Sequence, residues 1–296
     1  MNYSFLFPAD PLNPRKPDLD YQHEYQIVAK TNPVYLVQLE PLITDGRILL
    51  NRPLISDSHI IYRGWMIRPT VYRHLETFVR DNNCRLVTTT EAYEATHLLP
   101  SWSNHANTLK AKWTTDLSDT SLIQTLSHFE GPVTIKDFVK SRKYEWKSAF
   151  FIPDARDTTA ALKVIHTFIK RQGADLIGGV VIRQFVDLKE TGTHLRENVP
   201  FFEEYRVFYW QQRPFTVIDY WGHNTEGLGE KDQSFIKVQA QNIASPFFTI
   251  DFARRTDGRL IIMEIGDGQV SGLQGLSPEQ FYLQWFQEME KYSHSS

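Results

Sequence analysis

Two apolar runs near the C-terminus, Phe248-Thr-Ile-Asp251-Phe-Ala253 and Leu260-Ile-Ile-Met-Glu264-Ile-Gly266-Asp267-Gly268, flank a charged turn from Arg254 to Arg259. Their period reads as two β-strands, and Asp257-Gly258 within the turn is a strong hairpin signal. Asp251 then falls near the middle of the first strand, and Glu264 and Asp267 where the second runs out into a Gly-rich loop. Acidic side chains are depleted from strands and costly to bury unpaired. Three carboxylates on one ribbon ask for a cation, and hard oxygen donors without His or Cys suit Mg²⁺ or Mn²⁺. The plainer alternative is two solvent-facing acids and an Asp that caps a turn.

At 296 residues the chain is long for a single core, so two domains or one elaborated domain are expected. A hydrophobic content of 41% is enough for a packed interior. No apolar stretch approaches the ~20 residues of a membrane span, and the N-terminus lacks the basic segment of a signal peptide. Cys84 is the only cysteine; it cannot form an internal disulfide, which fits a reducing cytoplasm, and it is expected in the core. The net charge of −3 argues against a general nucleic-acid-binding surface. One local exception is the run Lys136, Lys140, Arg142, Lys143 and Lys147, set against Asp137 and Glu145.

The first 100 residues read as alternating strands and helices, which implies a mainly parallel, helix-covered sheet. Strands are expected at Tyr3 to Phe7, Val34 to Leu39, Ser58 to Met66 and Arg85 to Thr88. Asp20 is an expected cap for a helix to about Lys30, Pro69 opens a second helix, and Thr90 a third. Beyond a polar stretch at 101–120 the style changes. A helix is expected near Ser121 to Phe129, then antiparallel strands at Val133 to Val139, Ser148 to Ile152, Ile177 to Val186, Glu203 to Tyr209 and Pro214 to Tyr220. An amphipathic helix from Asp157 to Gln172, ended by Gly173, and a closing helix from about Pro278 to Tyr292 complete the pattern.

Common catalytic signatures are absent: there is no P-loop, no HExxH, no KxDG nucleophile, and Gly178-Gly179 lacks dinucleotide-loop spacing. What remains is a set of charges on successive strands: Lys136 and Lys140, Arg183, Arg206, and the three carboxylates of the hairpin. Taken singly, a strand Lys or Arg usually lies on a wet sheet face. Together they suit a nucleoside triphosphate–metal site, where cations neutralise phosphate oxygens and acids hold the metal.

The strings VTIKDFVKSRKYEW, GGVVIRQFVDL, EEYRVF and DFARRTDGRLIIMEIGDGQVSGL, in this order, resemble the ATP-grasp superfamily, and more closely its clade named for two arginines and a lysine. The early FLFPADPLNPRKPDLDY and IYRGWMI resemble that clade's N-terminal portion. The resemblance implies a Rossmann-like N-terminal (pre-ATP-grasp) domain at 1–100. An ATP-grasp domain would follow at 101–296, with two antiparallel-sheet subdomains at 101–185 and 186–296. It implies ATP and Mg²⁺ or Mn²⁺ as cofactors, with ATP clamped between two antiparallel sheets. The implied activity is that of a ligase making ADP and phosphate, in which a carboxylate is activated as an acyl phosphate and an amine or similar nucleophile attacks it. Donor and acceptor could be small molecules, peptides or proteins.

Carried over residue by residue, Lys136 resembles the strand lysine that reaches the phosphates, and Lys140, Ser141, Arg142 and Lys143 the loop over the triphosphate. Gln184, Phe185 and Val186 resemble the hinge that pairs with adenine, and Asp187 the residue that holds ribose. Arg183 and Arg206 resemble the arginine pair, with Arg206 nearest the γ-phosphate; together with Lys140 they are the expected catalytic cations. Asp251 and Glu264 match the metal acids, with Asp267 as a third; Gly266 stands where the superfamily more often has Asn. The acyl phosphate is expected near Gly268 to Leu273. Asp10, Arg63 and Trp65, at strand ends of the N-terminal sheet, are candidates for holding the acceptor. Two other classes compete: an ATP-dependent nucleic-acid end-modifying or ligating enzyme, favoured by the 136–147 run, and a non-catalytic ATP-sensing module.

Overall fold

The computed structural model describes residues 2–193, 200–222 and 227–293, and the chain divides into two units. The first comprises residues 1–96, 203–251 and 265–296; the second comprises 97–202 and 252–264.

The first unit begins with β1 (Tyr3–Pro8), β2 (Val34–Val37), β3 (His59–Tyr62) and β4 (Arg85–Leu86). They form a parallel sheet in the order β2-β1-β3-β4. α1 (Gln22–Val28), α2 (Leu39–Asp45), α3 (Pro69–Asp81) and α4 (Thr90–His97) connect or follow them. Burial on both faces explains why β1 carries the continuous apolar stretch Phe5-Leu6-Phe7. Phe5 and Phe7 enter one core with Trp210, Phe247, Phe281 and Trp285, while Leu6 enters another with Tyr35, Tyr62, Tyr72 and Leu75. The two-residue period of the strand makes that division.

The second unit contains α5 (Leu99–Trp102), β5 (Ala111–Thr114), α6 (Asp119–Leu126), β6 (Val133–Lys136), α7 (Trp146–Ala149), β7 (Phe151–Ile152), α8 (Thr158–Gln172) and β8 (Val180–Gln184). The sheet is antiparallel, in the order β5-β8-β6-β7. Leu122, Leu126, Ile165 and Phe168 from α6 and α8 pack on Val133, Ile135, Val180 and Ile182. Asp157 caps α8 by accepting from the Ala160 amide at 3.0 Å, and Gly173 ends it with φ +51°. A further antiparallel pair, β9 (Glu190–Thr193) and β10 (Pro200–Phe202), follows.

The rest of the first unit is built from β11 (Glu204–Trp210), β12 (Arg213–Asp219), α9 (Glu230–Gln239), the hairpin strands β13 (Phe247–Arg254) and β14 (Leu260–Asp267), and α10 (Pro278–Ser293). The sheet order is β12-β11-β13-β14. The unit boundary cuts the hairpin: residues 252–264 belong to the second unit and its flanks to the first. Among the described residues no helix is long and apolar enough to cross a membrane. Cys84 is buried.

Several local expectations need correction. The helix after the Pro-rich loop is preceded by a 3-10 turn capped by Asp18, not Asp20, because the Asp18 carboxylate accepts from the Asp20 amide at 2.9 Å. α2 is an additional helix, and its signals are local: Pro41 in its first turn starts it and Gly46 beyond its end (φ +70°) stops it. β5 lies in the polar stretch; its side chains are half-exposed, so its place comes from backbone pairing with β8 and not from an apolar pattern. α9, β9 and β10 are additional too. The 133–139 strand stops at Lys136, where Asp137 turns the chain by accepting from the amides of Val139 (2.7 Å) and Lys140 (2.5 Å). The hairpin turn is longer than a two-residue one: Arg255 and Arg259 still share a backbone bond at 2.9 Å, and Gly258 supplies φ +85°.

Candidate active site

In the second unit Lys136 ends β6 at 6% exposure and donates to Glu264 Oε1 at 2.9 Å. The glutamate side chain remains 44% exposed, so the pair has a dry cationic end and a wet anionic end. Arg183 lies one strand over on β8, buried, with one nitrogen on the Met263 carbonyl and its guanidinium 5.8 Å from the Trp102 ring. Its Nε has no partner among the described residues, and burial brings the group down to about 10 while Glu264 opposes the shift, which leaves it charged at neutral pH. A further residue of this region, His97, carries no sequence signal. Burial pushes its imidazole down to about 4 against the pull of Glu264, with Lys136 and Lys140 adding to the drop, so it is neutral. No spacing or motif marks it; only the packing at the end of α4 does.

The loop after β6 is tightly made. Lys136 and Ser141 form an isolated antiparallel bridge, and the fully buried Asp137 also accepts from Gln172 Nε2 at 2.9 Å. Lys140, Ser141 and Lys143 are exposed. Arg142 instead turns inward, to Glu145 at 2.5 Å and Gln172 at 2.9 Å. At the proposed hinge, the amides of Gln184 and Phe185 bond to the carbonyls of Lys110 (2.9 Å) and Pro132 (3.2 Å). The amide of Val186 makes no such bond among the described residues. Phe185 meets Phe151 edge-on at 5.1 Å, and Trp146 stacks on Phe151 at 5.1 Å, forming an aromatic wall beside the hinge. Asp187 is exposed, and its carbonyl accepts from the Thr256 amide.

In the first unit Arg206 on β11 grips Asp251 on β13 with a two-pronged ion pair, Nε to Oδ1 at 2.8 Å and Nη2 to Oδ2 at 2.7 Å. Its third nitrogen donates to the Gly272 carbonyl at 3.1 Å, and its guanidinium lies 5.2 Å from the Tyr220 ring. Gly266 has a steric reason: a Cβ there would sit 2.9 Å from Thr249 Oγ1. Asp267 does not share a face with Glu264. An odd separation along β14 sends Glu264 and Asp267 to opposite faces, and Asp267 is 1% exposed. Its Oδ1 accepts from the Gln269 amide at 3.0 Å, its Oδ2 has no partner among the described residues, and burial raises it to about 7.

Of the acceptor candidates, Arg63 needs correction. Arg63 is 1% exposed and spent on internal partners, so it cannot touch a substrate. Burial opposes its charge, yet Glu24, Tyr282 and Tyr21 outweigh that and hold the guanidinium above its ordinary value. Asp10 closes its own loop on the amides of Leu12 and Asn13, and Trp65 donates to Asp18 at 3.1 Å.

Each unit offers one expected metal acid, and each acid alone is of a kind that suits a hard cation. Asp251 and Glu264 supply only oxygen, and Glu264 is open to solvent. Among the described residues no three His, Cys, Asp or Glu side chains gather into a metal cage. Mg²⁺ needs no such cage, because it is usually held by one or two carboxylates plus water and substrate phosphates.

Residues 125–284 match an ATP-grasp domain family, the third family of the clade named for two arginines and a lysine, and the chain belongs to that ATP-grasp family. Solved structures agree on the fold. A RimK domain protein ATP-grasp from Sphaerobacter thermophilus aligns with a TM-score of 0.59 at 10% identity, covering 91% of this chain and 92% of that one. The ATP-grasp ligase PsnB, complexed with minimal precursor, Mg and ADP, gives 0.54 at 11% identity, with coverage of 93% and 91%. D-alanyl-alanine synthetase A from Vibrio cholerae gives 0.54 at 11%, with coverage of 94% and 91%. No curated protein matches the sequence.

Proposed function

We propose that this protein is an ATP- and Mg²⁺-dependent ligase that activates a carboxylate as an acyl phosphate and joins it to an amine or similar nucleophile. The observation that carries the reading is the pairing of two of the expected phosphate cations with expected metal acids: Lys136 with Glu264, and Arg206 with Asp251. Such pairs hold both charges in place before a polyanionic substrate arrives, and exchange of the lysine from carboxylate to phosphate keeps its charge paired. Mg²⁺, for which Asp251 and Glu264 are the expected acids, would supply charge neutralisation on the phosphate oxygens.

The chain's own residues have distinct tasks. Lys136 would leave Glu264 for a phosphate oxygen, and Arg206, oriented by Asp251, would neutralise charge on the γ-phosphoryl group. Arg183 and exposed Lys140 would add to this field, with Ser141 and Lys143 beside them. The Val186 amide and the Trp146–Phe151–Phe185 wall suit an adenine ring, and Asp187 suits ribose. The donor carboxylate oxygen attacks the γ-phosphorus and ADP leaves with the bridging oxygen. The amine then attacks the acyl carbon, phosphate departs, and the amine loses a proton.

PsnB is described with a precursor peptide, and macrocyclase MdnC with its precursor MdnA, which supports a peptide donor or acceptor here. We also propose the division into residues 1–100 and 101–296, with the second part split after 185, as a division by family segments that differs from the two compact units. It is supported by the parallel sheet ending at Leu86 and the family match beginning at residue 125. The test is a screen of amino acids and peptides with Mg·ATP and hydroxylamine, which traps acyl phosphates. The expected result is a hydroxamate with ADP and phosphate in equal amounts; AMP and pyrophosphate would overturn the proposal and favour nucleotidyl transfer.

A further inference from the structure

Arg63 is a fully buried arginine with an unusual set of partners. Its Nε and Nη2 fork onto the Glu24 carboxylate at 2.8 and 3.1 Å. Its Nη1 faces the loop that follows β14, at 2.9 Å from the Gln269 carbonyl, 2.8 Å from that of Ser271 and 3.4 Å from that of Gly268. Tyr282 donates to the same Glu24 carboxylate at 2.8 Å, which fixes the far side of the fork. A planar guanidinium can serve a carboxylate and a row of carbonyls at once; an ammonium cannot.

The loop is locked from a second direction. Gln269 is wholly buried; its Oε1 accepts from the Tyr62 amide at 3.2 Å and its Nε2 donates to Tyr72 at 3.0 Å. The Gly64 amide donates to the Gln269 carbonyl at 3.1 Å. Immediately after these locked residues the chain reaches exposed Gly272, whose carbonyl accepts from Arg206 at 3.1 Å. The two arginines thus hold consecutive stretches of one short loop, Arg63 the carbonyls of Gly268, Gln269 and Ser271, and Arg206 that of Gly272.

We propose that Arg63 is a positioning residue: by fixing residues 268–271 it sets the Gly272 carbonyl, and through it the orientation of the Arg206 guanidinium. The role of Arg206 in nucleotide binding rests on the reading under Proposed function, whereas the clamp on the loop does not. Arg63 touches no substrate and acts only through the backbone it holds.

The experiment uses the full chain with Arg63→Lys, Arg206→Lys and the double variant, and Glu24→Gln as a milder loosening of the fork should Arg63→Lys fold poorly. Hydrogen exchange reads the loop. The amides of Gly268 to Val270 should exchange about tenfold faster in Arg63→Lys, while those of β1 and β3 keep their protection. Affinity for Mg²⁺ with a non-hydrolysable ATP analogue reads the coupling. Each single variant should weaken it about fivefold or more, and the double variant no further than Arg206→Lys alone. Unchanged loop exchange overturns the clamp. Multiplying effects in the double variant overturn the link to Arg206 and leave Arg63 a packing residue. A wild-type protein that fails to bind the analogue overturns the nucleotide reading and the coupling with it, while the exchange data still decide the clamp.

Discussion

Lys136 Nζ lies 2.9 Å from Glu264 Oε1, with the lysine almost wholly buried and the glutamate nearly half exposed. This asymmetry separates binding from stability. Lys136→Met keeps the apolar stem and leaves Glu264 in water, so it should cost less than about 1 kcal/mol of stability while weakening Mg·ATP about tenfold. Glu264→Gln leaves a buried ammonium with a weaker partner and should cost about 1–2 kcal/mol, besides its loss of metal-dependent turnover. Thermal melts with and without Mg·ATP check both, since a ligand of the native state raises the melting temperature. A wild-type melt that Mg·ATP leaves unmoved would count against the nucleotide site.

Arg206→Lys retains charge but cannot grip Asp251 with two parallel bonds. Turnover in the hydroxamate assay should fall about a hundredfold, and the lost second bond to Asp251 should cost about 1–2 kcal/mol of stability. Activity within threefold of wild type (a difference of about 0.7 kcal/mol) would remove Arg206 from the reaction.

Asp267 gives a pH dependence with a definite sign. The unfolded chain releases its proton near the ordinary aspartate value of about 4. Burial makes the folded protein hold it up to about 7. The native state therefore binds more protons between these limits, and this group's contribution to stability is lost as pH rises from about 4 to about 7. Asp267→Asn cannot titrate, so denaturant midpoints measured across that range should fall less steeply with pH than in the wild type. Parallel slopes for the two proteins would show that Asp267 ionises normally.

Gly179 has no room for a side chain: a Cβ would lie 2.1 Å from the Thr114 carbonyl oxygen, on the neighbouring strand β5. Gly179→Ala should therefore destabilise the second unit by about 3 kcal/mol or more, because backbone must move to admit it. A melting temperature unchanged from wild type would show that β5 yields easily.

Much of the site is legible in the sequence because cations and acids are rare in strands, and their order along the chain matches a known family. Lys136, Arg183, Arg206, Asp251 and Glu264 all stand on the strands expected of them. Arg63 is legible only as a charge at a strand end, and its burial reverses the reading from substrate contact to internal clamp. Asp267 shows the same limit. Its spacing of three from Glu264 on one strand already implies opposite faces, but not that its face would be a dry pocket lined by Tyr72 and Gln269.

Local pattern, by itself, determined the parallel N-terminal sheet, α3, α8, α10 and the hairpin, because each carries its own period, cap or turn residue. Tertiary structure alone decided β5, whose half-polar strand exists through backbone bonds to β8, and the neutral state of His97, which follows from burial beside Lys136 and Lys140. It also decided how distant segments share one unit, since Phe5 and Trp285 meet in a core that no neighbouring residues announce. Periodicity is a property of a few consecutive residues. Desolvation and pairing depend on which remote segments arrive at the same place, and only the folded chain fixes that.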